Sequence, residues 1–559
     1  MKKIKFFLPF AAVALLASCT DKVDGPNENP NEGGNGSTYF TVSISQNAST
    51  RTTTGTDGSS DTEAGQGNET KIYTALLVFT DDEDNVVAKS DLVTIQGTDA
   101  SNNESSALSK VFEVPGGKVS LGGTTPLNVY VVCNYDPYAD LTGFYKAQRT
   151  ITLPAGSTSG LSDTYWTGGI SGGTKGFLMS NKESVVWNPA SPGKELSTDP
   201  SNPTDLGTIK VQRAMSRFDF VKEQPANETE IQGDVKVVFD QVALVNVSKT
   251  FNLFKYVSTY SAGGVTWGMG AETEFNFVQD PFGPTKAGLT FPSDFNSASD
   301  TDPAAEYFYY PYGSTKPKDL VWKSLESLSQ ADNVEWTTVP DKNYFVGFYC
   351  TPNSIYTNEE VAKDYNVSSN KPTVNSQKHI NSTGICFRAY LEYDGDDDLI
   401  PSSGTDAIFA YNGILYGTLD KIKDFALSPG ADENNIYVAN IVKGINPDDE
   451  ELDQLDEDDL EEAGFVKYNI DTTDNKYYVY YYYWNRHNDN VDDRKMGNME
   501  FATVRNNVYK LAVTSVSGLG LPGDKTPDDP NEEDETLSGF FKVSVTVVPW
   551  EVRVNDIEF

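Results

Sequence analysis

Apolar residues recur along this chain at a period of two far more often than at a period of three to four. Thr38 to Gln46 (TYFTVSISQ) puts Phe40, Val42 and Ile44 on one face and Thr41, Ser43 and Ser45 on the other, the pattern of a half-buried strand. Asn47 to Asn68 then runs through Thr, Ser, Gly and Asp with a single basic residue, Arg51, which predicts a loose, exposed loop. Strand character resumes over Ile72 to Phe79 and returns at Leu127–Cys133, Gly176–Met179, Thr208–Val211, Arg217–Val221 and Val235–Val247. The second half repeats it at Tyr344–Cys350, Ile385–Tyr393, Ile436–Val442, Tyr477–Trp484 and Val504–Val516, each run bounded by turn residues. Leu320 to Ala331 alone has the spacing for a short helix. The pattern predicts an all-β chain in two halves, joined near Leu206.

The C-terminus carries the same alternation with a break in it. Phe541, Val543, Val545 and Val547 share one face; Val548, Trp550, Val552 and Val554 continue on the other parity around Pro549. Leu521 to Ser538 just before it is rich in proline and acids, so the final strand is expected to be tethered rather than embedded. Pro549 lacks an N–H, which suits an edge or a break between strands. A strand near the start followed by an accessible arginine, and a free apolar strand at the end, are complementary in kind. If a protease cuts after Arg51, Thr38–Gln46 can leave and expose a groove that another copy's terminal strand fills by β-augmentation. About five large apolar side chains from that strand offer on the order of 7–15 kcal/mol before entropic costs. Head-to-tail contacts of this kind build open filaments.

Charge removes several function classes. With 559 residues, 43 Lys+Arg against 81 Asp+Glu and a net charge of -38, the chain would repel phosphate backbones, so no nucleic-acid partner is expected. Asp448 to Glu462 holds 11 acids in 15 positions and no base; like Asp394 to Asp398 it lacks the spacing of a calcium loop and reads as solvated insert, not core. Only two histidines occur, His379 and His487, and no phosphate loop or nucleophile elbow is present. No catalytic residue, metal site or cofactor is therefore expected. Tyr477–Trp484 reads as a strand whose aromatics alternate between core and surface, in preference to a sugar-stacking platform.

The N-terminus reads as an address. Met1 to Lys5 is basic, Phe6 to Ala17 is apolar but too short to span a bilayer as a mature helix, and Leu16-Ala17-Ser18-Cys19 resembles a bacterial lipobox. Lipidation is expected at Cys19, with Thr20 to Ser37 as a flexible leash. No other apolar run is long enough for a transmembrane helix. Cys133, Cys350 and Cys386 remain, all in strand-like runs; they are expected to be buried thiols, with a Cys350–Cys386 bridge left open.

Thr503-Val504-Arg505-Asn506-Asn507-Val508-Tyr509 and Val545-Thr546-Val547-Val548-Pro549-Trp550-Glu551-Val552 resemble two strands of the fimbrillins of the Bacteroidales, the type V pilins, and most closely the shaft subunit of minor-type fimbriae. Asn128 to Val132 and Arg213 to Arg217 resemble others. The resemblance implies two transthyretin-like β-sandwich domains, with a detachable N-terminal strand and a free C-terminal donor strand. The implied divisions are a signal peptide over 1–19, a removed tether and strand over 20–51, domains over 52–207 and 208–520, and a linker with donor strand over 521–559. It also implies export to the outer membrane as a lipoprotein, then a cell-surface fimbrium serving adhesion. Cutting at Arg51 by a trypsin- or gingipain-like protease would make Thr52 the new N-terminus. Partners would be further copies of the chain and accessory anchor and tip subunits. Asp448–Glu462 and Thr250–Thr337 depart from the family pattern. A tip or anchor subunit, and a surface glycan-binding lipoprotein, are the alternatives. The first two differ in whether they donate a strand or carry the processing arginine, and the last would keep its lipid.

Overall fold

The computed structural model describes residues 36–46, 69, 71–99, 108–123, 125–134, 150–152, 176–228, 230–261, 264–270, 276–291, 303–328, 344–358, 377–395, 399–448, 451–488, 496–523, 529–534 and 541–549. Six strands frame its first part: β1 (Thr38–Gln46), β2 (Lys71–Thr80), β3 (Leu108–Val114), β4 (Leu127–Cys133), β5 (Met179–Asn181) and β6 (Thr204–Arg213). They belong to a nine-stranded sheet in which β2, β4, β5, β6, β1 and β3 are successive neighbours. Their inward apolar residues, among them Phe40, Phe79, Phe112, Val131 and Ile209, meet in one core with Trp187 of the short strand Val185–Trp187.

A true sandwich forms the second part. One layer has the order β9 (Tyr344–Cys350), β7 (Ser216–Val221), β12 (Asn507–Val516), β13 (Phe541–Pro549). The facing layer is built around β8 (Val235–Val245), β10 (Gly384–Tyr393) and β11 (Lys476–Trp484). Phe220 of β7 meets Phe387 of β10 edge to face with ring centroids 5.9 Å apart, so side chains from both layers share a single core. A short helix, α1 (Gly283–Ala287), lies on a connection at this end.

Several expectations change here. The junction placed near Leu206 falls inside β6, because Thr204–Arg213 pairs with β1 on both sides of an irregularity at Leu206 and Gly207 and with β5 over Val211–Arg213; the chain passes between sheets at Ala214 and Met215. Ile436–Val442 is helix, within α3 (Glu433–Ile445), which follows α2 (Leu419–Leu427). Asp432 caps it by accepting from the Asn434 and Asn435 amides, and Val438, Ala439 and Val442 bury one face, outweighing the strand preference of its branched residues. The acidic insert is partly core: its Leu452, Leu455 and Leu460 are buried with Phe409 and Ile422, while Asp456 and Asp459 form a capping box at α4 (Glu457–Glu462). Leu320 to Leu328 holds no α-helix but a short strand pair, Lys323–Ser324, against β8. In β11 both faces are covered, Tyr477, Val479 and Tyr481 by the sandwich core and Tyr480, Tyr482 and Trp484 by a second cluster with Tyr312 and Phe501. Cys133, Cys350 and Cys386 are buried free thiols, so the open Cys350–Cys386 bridge is not formed. The insulated thiols are pushed up by burial, Cys350 to about 12.

Candidate assembly site

β1 is an interior strand. It runs parallel to β6, with six register pairs from Phe40↔Thr204 to Gln46↔Val211, and antiparallel to β3, with seven from Thr38↔Val114 to Ile44↔Leu108. A strand bonded along both edges and apolar on one face is sealed on three sides. Phe40, Val42 and Ile44 are 0% exposed. The Phe40 ring sits 4.8 Å from Phe79 and 5.3 Å from Trp187, whose indole N–H donates to the Lys194 carbonyl at 2.9 Å. On the other face the Thr41 hydroxyl donates to the Lys110 carbonyl at 3.3 Å. Arg51 and Thr52 lie outside the described residues, as do Cys19, Trp550, Val552 and Val554.

Beyond the Arg51 segment the chain is pinned at Glu69. Both carboxylate oxygens of Glu69 accept from Arg217 Nη1 at 3.0 Å, and Arg217 reaches Asp219 through Nε and Nη2 at 2.8 Å. The Tyr349 hydroxyl donates to Glu69 Oε1 at 2.7 Å, and Arg213 Nε donates to the Glu69 carbonyl at 2.8 Å. Burial, then the Glu69 charge, holds the Tyr349 hydroxyl well above its ordinary value, so it stays a donor. A guanidinium with two bidentate carboxylates is the geometry that makes such a buried cluster tolerable. It fastens Glu69, just ahead of β2, to β7 and β9.

A second joint lies in the segment Thr503–Tyr509. Arg505 is buried and donates to the carbonyls of Leu253 at 2.9 Å, Asn252 at 3.2 Å and Arg213 at 3.2 Å, and to Ser180 Oγ at 3.0 Å. Burial pulls its guanidinium down to about 9; the acceptors around it keep the cation in place. Asn506 adopts a left-handed backbone, φ 60°, accepts from the Arg213 amide at 3.1 Å and donates from its own amide to Met215 at 2.7 Å. The sequence singled out this segment by resemblance; its task, tying the two sheets together where β6 hands over to β7, needed the contacts.

β13 occupies an edge. It pairs antiparallel with β12 through nine register positions, from Asn507↔Pro549 to Val516↔Phe541, placing Val543, Val545, Val547 and Val548 opposite Val513, Leu511, Tyr509 and Val508. The strand expected to be free is thus docked on its own domain, with β12 its one partner among the described residues. Residues 529–534 lead into it and are also fastened. The Ile380 amide donates to the Pro530 carbonyl at 2.8 Å and the His379 amide to Glu532 at 3.2 Å. Buried Asp534 accepts from the Ser382 hydroxyl and stands 3.6 Å from His379 Nε2, and the His379 ring stacks on Trp484 at 4.9 Å. Among the described residues no three His, Cys, Asp or Glu side chains converge as a metal site, and no helix is long and apolar enough to cross a membrane.

Residues 475–556, which span β11, β12 and β13, match the family described as major fimbrial subunit protein type IV, fimbrillin, C-terminal. No curated protein matches the chain. Similar solved structures include a putative cell adhesion protein from Bacteroides eggerthii, 13% identical, covering 93% of this chain and 98% of that one with a TM-score of 0.36. A fimbrilin from Porphyromonas gingivalis has 13% identity, the same 93% and 98% coverage and a TM-score of 0.32. The fimbrial anchor protein from that organism has 9% identity, covers 43% of this chain and 75% of its own, and has a TM-score of 0.21. Its C-terminal strands β11, β12 and β13 thus carry the pattern of the fimbrillin C-terminal family.

Proposed function

We propose that this chain is a fimbrial shaft subunit that polymerises by protease-triggered donor-strand exchange. The observation that carries the reading is the place of β1, an interior strand joined to the rest of its sheet through the segment that contains Arg51. Cutting after Arg51 leaves β1 as a separate peptide held by noncovalent contacts. Its departure opens a slot between β3 and β6 with two unpaired backbone edges and apolar walls from Phe79, Phe112, Trp187 and Ile209. β13 of a second copy brings Val543, Val545 and Val547 in matching alternation. On its own domain β13 has one partner among the described residues; in the slot it has two, as β1 has, and that gain in pairing gives the exchange its direction. Lipidation at Cys19 carries the precursor to the outer membrane, an arginine-specific protease releases it with Thr52 as its new N-terminus, and anchor and tip subunits terminate the filament.

Trace trypsin added to the purified chain tests this. The expected result is a new N-terminus at Thr52 and slow growth of multimers that survive unboiled denaturing gels, absent from a chain ending at Lys542. Clean cutting at Arg51 with a persistent monomer would overturn the shaft role in favour of a tip subunit.

A further inference from the structure

Lys286, on α1, is a buried cation that assembly leaves unused. It is 0% exposed, and its Nζ donates to Ser248 Oγ at 2.8 Å, Asp280 Oδ2 at 2.9 Å and Asn353 Oδ1 at 3.4 Å. Asp280 and Asn353 are themselves 4% and 1% exposed. The Phe308 ring lies 5.1 Å from Nζ, and Ile355 and Ile380 pack beside that ring. The Asn353 carboxamide is held rigidly: Nδ2 donates to the Asn381 carbonyl at 2.8 Å and to Thr383 Oγ1 at 3.0 Å, which turns its oxygen toward the amine. Its backbone is fixed as well, exchanging two 2.8 Å bonds with Thr503. A primary amine, a carboxamide and a carboxylate therefore converge in a dry site, each with its orientation set by other groups. Burial lowers the Lys286 ammonium from its ordinary value, with Asp280 pulling the other way, which favours the neutral, nucleophilic amine.

We propose that Lys286 and Asn353 join in an intramolecular isopeptide bond, with Asp280 as the proton carrier. Asp280 takes one proton from the ammonium, and the lone pair so exposed attacks Cγ of Asn353. The attacking nitrogen passes its second proton to Nδ2 as the Cγ–Nδ2 bond breaks, and ammonia departs, taking the proton held by Asp280 to become ammonium. An alkylammonium and a carboxamide become a secondary amide and an ammonium ion, so no oxidant, metal or cofactor is needed. Holding the reacting groups in contact supplies the proximity, and the carboxylate the acid–base step. The link staples α1 to the segment that leaves β9, across the connections at the end of the sandwich.

The test is the mass of the full purified chain under denaturing conditions, followed by a tryptic digest; neither depends on cutting at Arg51 or on filament growth. The expected intact mass is lower than that of the sequence by one ammonia. The digest should leave the bond after Lys286 uncut and give one branched peptide containing both Lys286 and Asn353. Asp280→Asn, close in size, should return Lys286 to the trypsin-cleavable, unlinked form. A wild-type chain at full sequence mass, with Lys286 and Asn353 on separate peptides, overturns the proposal. So does an ammonia loss that maps to a succinimide at another asparagine without a branched peptide. Should Asp280→Asn fail to fold, the wild-type peptide map decides alone.

Discussion

β1 and β13 are written in nearly the same alphabet, alternate apolar residues in a nine-residue strand, yet they hold opposite positions. β1 lies between two neighbours, with Phe40, Val42 and Ile44 sealed from solvent. Among the described residues β13 lies at the end of its sheet, with β12 beside it. Alternation records that one face is meant for a core; it does not record how many backbone edges are paired. In this molecule the interior place is held by the strand that precedes Arg51, and the edge by the strand at Phe541–Pro549. The arrangement pairs a deep seat with a shallow one.

The comparison breaks first at Phe40. Phe40→Ala removes a ring packed on Phe79 and Trp187 and is expected to lower the stability of the uncut chain by about 3–5 kcal/mol, read from denaturant midpoints at constant m. After cutting and loss of β1 the same substitution should make no difference. A loss below about 1 kcal/mol in the uncut chain would mean that β1 is no part of the core.

His379, beneath the segment that leads into β13, gives the next largest effect. Burial lowers its pKa to about 4, with Asp529 opposing and Asp534 facing the ring at 3.6 Å. Between about pH 6.5 and 4 the unfolded chain binds a proton at this ring that the folded chain does not, so stability rises with pH through that window and is lost as pH falls. The full difference corresponds to about 3 kcal/mol. Wild type should lose about 1–3 kcal/mol more than His379→Phe between pH 7 and 4.5 in paired urea titrations, the phenyl ring keeping the stack on Trp484. Equal losses in both would show that Asp534 takes up the charge and steadies the imidazolium.

Much of the first seat was legible. Thr38–Gln46 shows its strand bounds in the sequence because alternation without interruption has one structural solution. Its parallel pairing with β6 was not legible, since nothing local in Thr204–Arg213 specifies a partner so distant in sequence. Ile436–Val442 misled because its branched residues favour strands, while the informative signals were the Asp432 cap and the spacing of Val438, Ala439 and Val442. The docking of β13 escaped for the converse reason: the Pro- and acid-rich run before it reads as a leash, yet Asp534 inside that run is buried against Ser382 and His379. Lys286, Asp280 and Asn353 carry no motif at all, because a short helix and two separate connections bring them together.

The smallest effect sharpens the picture of β1 most finely. Thr41 is on the opposite face from Phe40, and its hydroxyl gives a 3.3 Å bond to the Lys110 carbonyl of β3. That carbonyl is near solvent, so water replaces the hydroxyl when it is removed. Thr41→Ala should therefore lower stability by about 0.5–1 kcal/mol in the uncut chain. If β1 is held chiefly by its apolar face and its two backbone ladders, combining Thr41→Ala with Phe40→Ala should leave the two losses additive, because the residues share no partner across the strand. A marked departure from additivity in that double variant would mean that the side chains of the two faces fix the register together, and that the seat accepts this one sequence rather than any strand of the same alternation.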